Sequence, residues 1–336
     1  MSSPRVSRLS TYLPGLAVCA AAAAVAYLLS RLIPGLSAML VAIVLGVVVA
    51  NTVRLPQRCS AGVAFAAKKL LRLGIVLLGL QVALGDIAAL GAPMILVVIV
   101  TVVTGILGTI AIGRLLGVSS YLTYLVACGF SICGAAAVAG ASGTLDPKNE
   151  HEEETVTAVA LVVLFGTTMI GLVPLAAYLL QLDPVFAGTW AGGAIHEVAQ
   201  VVAVGGMIGG GALTAAVLVK LARVLMLAPV IAVLGWVRRR ELQDGAGTTS
   251  LPPLVPLFVA GFMAMVLVRS CLPLPEAVLA AGSSAQTALL AAAMFALGCN
   301  VDVRKLLRVG SRPFVLAALS TALVAGVSLA GVTLVL

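Results

Sequence analysis

Two short stretches of this sequence combine residue types that could bind or move an ion. The first reads Gly129-Phe-Ser-Ile-Cys-Gly-Ala-Ala-Ala-Val138, and the second reads Gly192-Gly-Ala-Ile-His-Glu-Val-Ala-Gln-Val201. Aligned from their first glycines, they share Gly, Ile, Ala and Val at equivalent positions. Ionisable side chains within an apolar segment usually mark a functional site. His196 and Glu197 of the second stretch are therefore the leading candidates.

The first stretch favours a break in a helix. Glycine permits tight turns and close backbone approach, and two glycines bracket Phe-Ser-Ile-Cys. A helix that restarts near Cys133–Gly134 would present free N–H groups and the positive end of its dipole, which together bind anions. The predicted binding residues are Ser131, Ile132, Cys133, Gly134 and Ala135. The alternative is that these small residues only let helices pack closely.

The second stretch could supply side-chain donors and a proton carrier. On a helix, His196 could share a face with Gln200, and both could donate hydrogen bonds to an oxyanion. A protonated His196 would add positive charge. Glu197 could carry a coupling proton or cation, or could simply be a structural partner for His196. Position 200 is Gln, which excludes the HExxH zinc motif, and we predict neither a metal nor a cofactor.

Composition identifies the class of protein that positions these stretches. Apolar residues make up 62% of the 336 residues, charged residues only 10%, and the mean hydropathy is +1.20. Such values predict an all-α polytopic membrane protein that forms one transmembrane domain over residues 1–336. Runs of apolar residues predict about eleven spans: 13–30, 34–51, 65–85, 93–114, 119–142, 155–180, 186–208, 212–236, 252–271, 280–300 and 313–334. No Walker motif is present, which argues against an ATP-driven pump.

Charge placement predicts the orientation. The net charge is +8, which reflects either basic cytoplasmic loops or attraction of anions. Lys and Arg clusters beside the spans all fall on one side, which places the N-terminus in the cytoplasm and the C-terminus outside. The acidic segment 146–154 then lies outside. The sequence leaves open whether spans 119–142 and 186–208 cross fully or are re-entrant.

An internal similarity indicates an inverted repeat. Residues 78–91 resemble residues 297–310, and an amide, Gln81 or Asn300, occupies the same position in each copy. Inverted repeats, here about 34–115 and 252–335, are typical of secondary transporters whose broken helices meet at the membrane midplane. Gln81 and Asn300 are secondary candidates, expected to be buried and either to line the site or to join helices. Chance matching among Leu, Gly and Val is the alternative.

These motifs carry a family resemblance. Ser131-Ile-Cys-Gly-Ala-Ala-Ala-Val138, Val163-Leu-Phe-Gly-Thr167 and Ile195-His-Glu-Val-Ala-Gln-Val201 resemble the YeiH family of bacterial inner-membrane proteins, which is named for sulfate export. The resemblance covers nearly the whole chain. It implies a secondary transporter, distantly similar to bile-acid symporters and sodium–proton antiporters, with a scaffold part and a core part that contains broken helices. This sequence has Ala194 where the family usually has Ser, so one hydroxyl donor is missing.

The resulting hypothesis is a secondary transporter that exports a small oxyanion, with sulfate or a related sulfur oxyanion as the leading substrate. We expect it to lie in the lipid bilayer of a bacterial inner membrane, to be coupled to a proton or sodium, and to bind no nucleic acid. A homodimer is possible. One alternative is a sodium–proton or other cation antiporter that uses Glu197. A remote alternative is an intramembrane enzyme with a Cys133 nucleophile and a His196 base, although we expect no enzymatic activity.

Overall fold

The fold is helical throughout the part of the chain that the computed structural model describes, residues 4–32, 38–53, 55–146, 150–244, 256–300 and 310–336. Six helical segments there are long and apolar enough to cross a membrane: Thr11–Leu32, Gly91–Leu116, Glu152–Leu179, Ala212–Arg240, Glu276–Gly298 and Ser311–Val335. The predicted polytopic helical membrane protein is thus confirmed. The count of about eleven spans and the inverted repeat stay predictions, and residues 301–309 of the second repeat lie outside the described residues.

The helices, in chain order, are α1 (Pro4–Leu32), α2 (Ala38–Thr52), α3 (Gln57–Phe65), α4 (Leu71–Leu78), α5 (Leu84–Ala88), α6 (Gly91–Leu116), α7 (Ser120–Ser131), α8 (Ala135–Leu145), α9 (Glu152–Leu179), α10 (Pro184–Ala194), α11 (Val198–Ile208), α12 (Ala212–Leu225), α13 (Leu227–Asp244), α14 (Leu257–Cys271), α15 (Glu276–Gly298) and α16 (Ser311–Val335). A π turn, Ala66–Leu70, joins α3 to α4, and a 3-10 turn, Gly79–Gln81, follows α4.

The chain divides into two compact units. Unit 1 comprises Met1–Leu80 and Leu274–Val309, and thus contains α1 to α4 and α15. Facing glycines hold its helices close together. A Cβ on Gly15 of α1 would lie 2.7 Å from Cα of Gly62 in α3, and a Cβ on Gly46 of α2 would lie 2.9 Å from Cα of Gly298 in α15. Larger residues at these contacts would force the helices apart.

Unit 2 comprises Gln81–Pro273 and Gly310–Leu336. It contains both candidate stretches, each within a helix that breaks and restarts: α7 with α8, and α10 with α11. Buried side chains from α9 to α12 form one apolar cluster around the second break: Met169, Val173, Trp190, Ala191, Ala194, Ile195, Val201, Val204 and Ala216. This packing fixes where the second break lies within the unit.

Polar caps define the outer ends of the broken helices. The Ser119 hydroxyl accepts a hydrogen bond from the Leu122 N–H (3.2 Å) and donates one to a Glu154 carboxylate oxygen (2.6 Å). The Asp183 carboxylate accepts a hydrogen bond from the Val185 N–H (2.8 Å) at the start of α10. Such caps satisfy backbone N–H groups that have no partner within the helix. They set the starts of α7 and α10, and therefore the depth at which each helix breaks.

A carboxylate also orders the turn after α8. The His151 N–H donates to an Asp146 carboxylate oxygen at 2.8 Å, and the His151 Nδ1 lies 3.6 Å from the same oxygen. Burial disfavours the charged form of Asp146. Hydrogen bonds from the backbone N–H groups of His151 and Glu150 outweigh that effect and hold the pKa of Asp146 below its usual value.

Candidate functional site

Both candidate stretches interrupt their helices, and the first restarts where the sequence predicted. α7 ends at Ser131 and α8 begins at Ala135, with Gly134 at φ +73°. α10 ends at Ala194 and α11 begins at Val198, because Ile195 and Glu197 are extended, with ψ of 147° each. Gly192 and Gly193, which open the second stretch, do not form its break, since both glycines lie within the last turn of α10. In each case a helix C-terminus and a helix N-terminus lie within the unit interior.

Lys220 neutralises the C-terminal ends of both first half-helices. Its Nζ donates to the carbonyl oxygens of Ile132 (2.9 Å), Ile195 (2.8 Å) and His196 (2.6 Å), and its side chain is fully buried. Carbonyls at a helix C-terminus lack partners within the helix and carry partial negative charge. One ammonium group therefore satisfies acceptors from both breaks at once.

Arg223 contacts the same two ends one turn further along α12. Its guanidinium donates to the carbonyl oxygens of two residues at the end of α7 and three at the end of α10: Phe130 (2.9 Å), Ser131 (3.1 Å), Gly192 (3.2 Å), Gly193 (2.7 Å) and Ile195 (3.0 Å). The side chain is fully buried. The planar fork of donors in arginine suits this multiple contact. Together with Lys220 it joins the two broken helices.

Glycines in α10 allow α12 to approach closely enough for these contacts. A Cβ on Gly188 would lie 2.6 Å from Cα of Ala212, and a Cβ on Gly192 would lie 3.0 Å from Cβ of Val219. Any side chain at either position would separate the two helices. Gly192 thus serves helix packing instead of the helix break.

Glu197 lies at the N-terminal ends of both second half-helices. It is the residue that precedes α11, and its Oε1 accepts a hydrogen bond from the Ala135 N–H, the first of α8, at 3.4 Å. Its own N–H donates to Oε1 of Gln200 at 3.3 Å. Gly134 makes room for the carboxylate, because a Cβ there would lie 2.5 Å from Cγ of Glu197. The Glu197 carboxylate therefore caps α8, and Glu197 is also the N-cap residue of α11.

His196 is fully buried and has partners at both ring nitrogens. Nδ1 lies 3.2 Å from the Phe130 carbonyl oxygen, and Nε2 lies 3.1 Å from the Thr321 hydroxyl of α16. A carbonyl only accepts, so Nδ1 carries the proton of the neutral ring. The Thr321 hydroxyl has one proton, which it can donate either to Nε2 or to the Ala317 carbonyl oxygen at 2.9 Å. The rings of His196 and Phe130 also lie 4.5 Å apart, measured between centroids. His196 thus links the two breaks to α16.

Two polar groups at the breaks have unused hydrogen-bonding capacity. Among the described residues, the Ser131 hydroxyl and Nε2 of Gln200 have no partner, although both side chains are fully buried. Gly105 of α6 packs against Ser131, and Gly166 of α9 packs against the Gln200 amide. Buried polar groups are normally hydrogen-bonded, so these two groups are candidate contacts for a ligand.

The structure brings most of the predicted residues together. Ala135 donates to Glu197, and Lys220 bridges the carbonyls of Ile132 and His196. His196 itself contacts Phe130, and Gln200 contacts Glu197 within the second stretch. Gln81, in the turn after α4, is half-buried, whereas Asn300, just after α15, is exposed, so the expected burial of Asn300 is wrong. The hydrogen bonds described above at the breaks include neither residue.

Sequence reasoning missed Lys220 and Arg223. Both lie inside the predicted span 212–236 and are spaced three residues apart. A charged residue inside an apolar span is costly and usually faces the protein interior. That signal was present in the sequence and should have placed both residues beside His196 and Glu197.

Known proteins resemble this chain over nearly its whole length. Residues 14–317 match the family described as Conserved hypothetical protein 698. The chain belongs to this family. A UPF0324 membrane protein of Corynebacterium glutamicum is 53% identical over 334 residues, which cover 98% of this chain and 94% of that protein. The resemblance to YeiH is confirmed, because the UPF0324 inner membrane protein YeiH of Salmonella typhimurium is 37% identical over 316 residues, covering 91% and 89% of the two chains.

Other relatives are also described as membrane proteins. A UPF0324 membrane protein of Agrobacterium fabrum is 36% identical over 321 residues, which cover 94% of this chain and 91% of that protein. These names state a membrane location and no substrate. No solved structure matches the chain. The family and the six long apolar helices establish a membrane protein, and the substrate must be argued from the site.

Proposed function

We propose that this protein is a secondary transporter of a small oxyanion, with sulfate or a related sulfur oxyanion as its leading substrate. The observation that carries the proposal is the pair of half-helix N-termini at the two breaks, beside the buried cations Lys220 and Arg223 that join the preceding C-terminal ends. The protein would act as a carrier and not as an enzyme. Its partners would be the anion, a coupling proton or sodium, the bilayer of the inner membrane, and in a homodimer a second copy.

The charge at the breaks supports an anion. Lys220 and Arg223 contribute two positive charges, and Glu197 contributes at most one negative charge, among the described residues of this region. The two helix C-termini and two helix N-termini contribute partial charges of opposite sign that roughly cancel. The interior therefore keeps an excess of at least one positive charge, which a bound anion would balance.

The available donors suit a small oxyanion. The first turns of α8 and α11 present backbone N–H groups, and the Ser131 hydroxyl and Nε2 of Gln200 are unused. Ala136, Val198 and Ala199 in those first turns are partly exposed, whereas their neighbours are buried. A ligand that arrives at these exposed positions would meet both N-termini. Several acceptor oxygens on one small anion would match several donors at the breaks.

A cation antiporter is the second candidate, and one observation favours it. Glu197 places a nearly buried carboxylate at the breaks, with 8% of its surface exposed, and such a group could bind sodium or a proton. The nearby positive charge of Lys220 disfavours a second bound cation. The thiol-enzyme alternative has less support, because both ring nitrogens of His196 contact atoms other than the Cys133 sulfur.

The test is transport of radiolabelled sulfate by the purified protein in liposomes. Exchange against sulfate trapped inside reports a carrier in either orientation. We expect saturable exchange in the wild type and in His151→Ala, but not in His196→Ala, because His196 links both breaks to α16 whereas His151 lies outside them. Absence of exchange for sulfate and related sulfur oxyanions, together with a sodium-dependent proton flux that Glu197→Gln abolishes, would favour the cation antiporter.

A further inference from the structure

The carboxylate of Glu197 lies where a transported anion would bind. Its Oε1 accepts the hydrogen bond of Ala135, the first N–H of α8, and Glu197 is also the N-cap residue of α11. Helix N-termini attract negative charge through their free N–H groups and their dipoles. The protein thus holds an anionic group of its own at the two ends that the proposed function assigns to the substrate.

The carboxylate packs directly against the residue that precedes α8. A Cβ on Gly134 would be 3.1 Å from Oε1 of Glu197 as well as close to its Cγ. Ala136, Val198 and Ala199, in the same first turns, are partly exposed. A substrate anion and the Glu197 carboxylate would therefore meet at the same helix ends.

The hydrogen-bond donors that Glu197 leaves unused indicate that a second anion can bind here. Oε1 of Gln200 accepts the N–H of Glu197, so Nε2 of the same amide lies at the start of α11. This Nε2 is buried and has no partner within the described structure, and the same holds for the Ser131 hydroxyl. A carboxylate that already caps α8 does not satisfy them. An oxyanion with further acceptor oxygens would.

Charge balance connects binding of the anion to the protonation of Glu197. The charged and titratable groups around Glu197 are Lys220 of α12, with Arg223 behind it, Cys133 of the first break, and the adjacent His196. His196 has both ring nitrogens engaged, and the two cations are held by carbonyls. If Glu197 is neutral, Lys220 and Arg223 leave two positive charges, which a dianion such as sulfate balances. If Glu197 is ionised, the same dianion leaves one negative charge buried, which is costly.

We propose that Glu197 and the substrate oxyanion compete for the same helix N-termini, so that one proton binds to Glu197 whenever one dianion binds. This inference rests on the proposed function and adds to it the coupling of oxyanion binding to one proton. The proton neutralises the built-in anion and frees the N-termini of α8 and α11. Release of the proton restores the carboxylate and expels the substrate.

The experiment is equilibrium binding of radiolabelled sulfate to the full-length protein in lipid nanodiscs at a series of pH values. Sulfate itself stays a dianion throughout, so any pH dependence belongs to the protein. In the range where Glu197 is ionised without ligand, we expect the apparent Kd to rise by about tenfold per pH unit, the slope for uptake of one proton. Glu197→Gln mimics the protonated side chain and should bind sulfate with a Kd independent of pH.

Two controls separate the possible outcomes. Glu197→Asp keeps a carboxylate and should keep the pH dependence, and thermal unfolding of each variant checks that it folds. An equal slope in the wild type and in Glu197→Gln would overturn the competition while leaving an anion carrier intact, and so would a wild-type Kd that does not change with pH. No saturable sulfate binding by the wild type or by Glu197→Gln at any pH would overturn the proposed substrate as well.

Discussion

Arg223→Lys should destabilise the protein far more than the conservative character of the change suggests. The guanidinium makes five contacts to carbonyl oxygens at the ends of α7 and α10. A lysine ammonium has three protons, so at least two of the five hydrogen bonds from residue 223 are lost, although the Phe130 and Ile195 carbonyls also accept from His196 and Lys220. A hydrogen bond to a charged group contributes about 1.5–3 kcal/mol, and the expected loss is therefore about 3–6 kcal/mol. This lies at the upper end of single-residue effects.

The assay is thermal unfolding of the purified variants in one detergent, followed by tryptophan fluorescence. Trp190 lies on α10, where its Nε1 donates to the Ala325 carbonyl oxygen at 3.0 Å, so its share of the emission reports on the helix that Arg223 contacts; the other tryptophan, Trp236, lies on α13. Arg114→Lys is the matched control, because Arg114 is exposed in the last turn of α6. We expect this control to change the free energy of unfolding by no more than about 0.5 kcal/mol.

An equal, small effect of both substitutions would refute the reasoning. It would mean that the carbonyls at the two breaks do not depend on the guanidinium fork for satisfaction. A large loss for Arg223→Lys with an unchanged Arg114→Lys would support the assignment of Arg223 as the residue that joins the two broken helices.

Two further predictions concern glycine packing and pH. Gly166→Ala should lower the free energy of unfolding by about 1–3 kcal/mol, because its Cβ would lie 2.9 Å from Cδ of the Gln200 side chain. Gly171→Ala on the same helix is the control: its Cβ would meet nothing within 4 Å, so it should be neutral or slightly stabilising in the same unfolding assay. The pKa of Asp146 is lowered in the folded state, so its ionised carboxylate should stabilise the protein at pH values above the usual carboxyl pKa. This stabilisation should disappear as the pH falls through the lowered pKa. Asp146→Asn should lack that part of the acid-induced loss of stability.

Each of these predictions has a clear contrary result. Equal unfolding temperatures for the two alanine variants would show that the Gln200 amide moves away without cost. The same loss of stability on acidification in Asp146→Asn and in the wild type would show that the hydrogen bond from the His151 N–H does not stabilise the turn.

The positions of the two breaks were predictable to unequal degrees, for physical reasons. Gly134 was identified correctly as a restart, because glycine adopts a positive φ at little steric cost and can therefore interrupt a helix. Gly192 and Gly193 also begin a candidate stretch, but glycine allows close helix packing as well as a break, and composition cannot distinguish these roles. The extended residues that do form the break, Ile195 and Glu197, have no special backbone preference, so tertiary contacts place it.

The missing part of the prediction was the pair of cations. His196 and Glu197 are adjacent in the sequence, whereas Lys220 and Arg223 are separated by two apolar residues inside the predicted span 212–236. Their role depends on carbonyl oxygens from distant parts of the chain, which no local pattern contains. Only the packing of α12 against α10 reveals which acceptors these side chains reach.

The buried cations of α12 also bear on how the protein is made. On scales derived from insertion by the translocon, a lysine or arginine at the centre of a membrane helix costs about 2.5–3.5 kcal/mol. Every carbonyl that Lys220 and Arg223 contact belongs to residues 130–196, which are synthesised before α12. The acceptors are thus synthesised before the donors. We expect α12 to insert poorly as an isolated segment and efficiently after α6 to α11, which glycosylation mapping of truncated chains would measure.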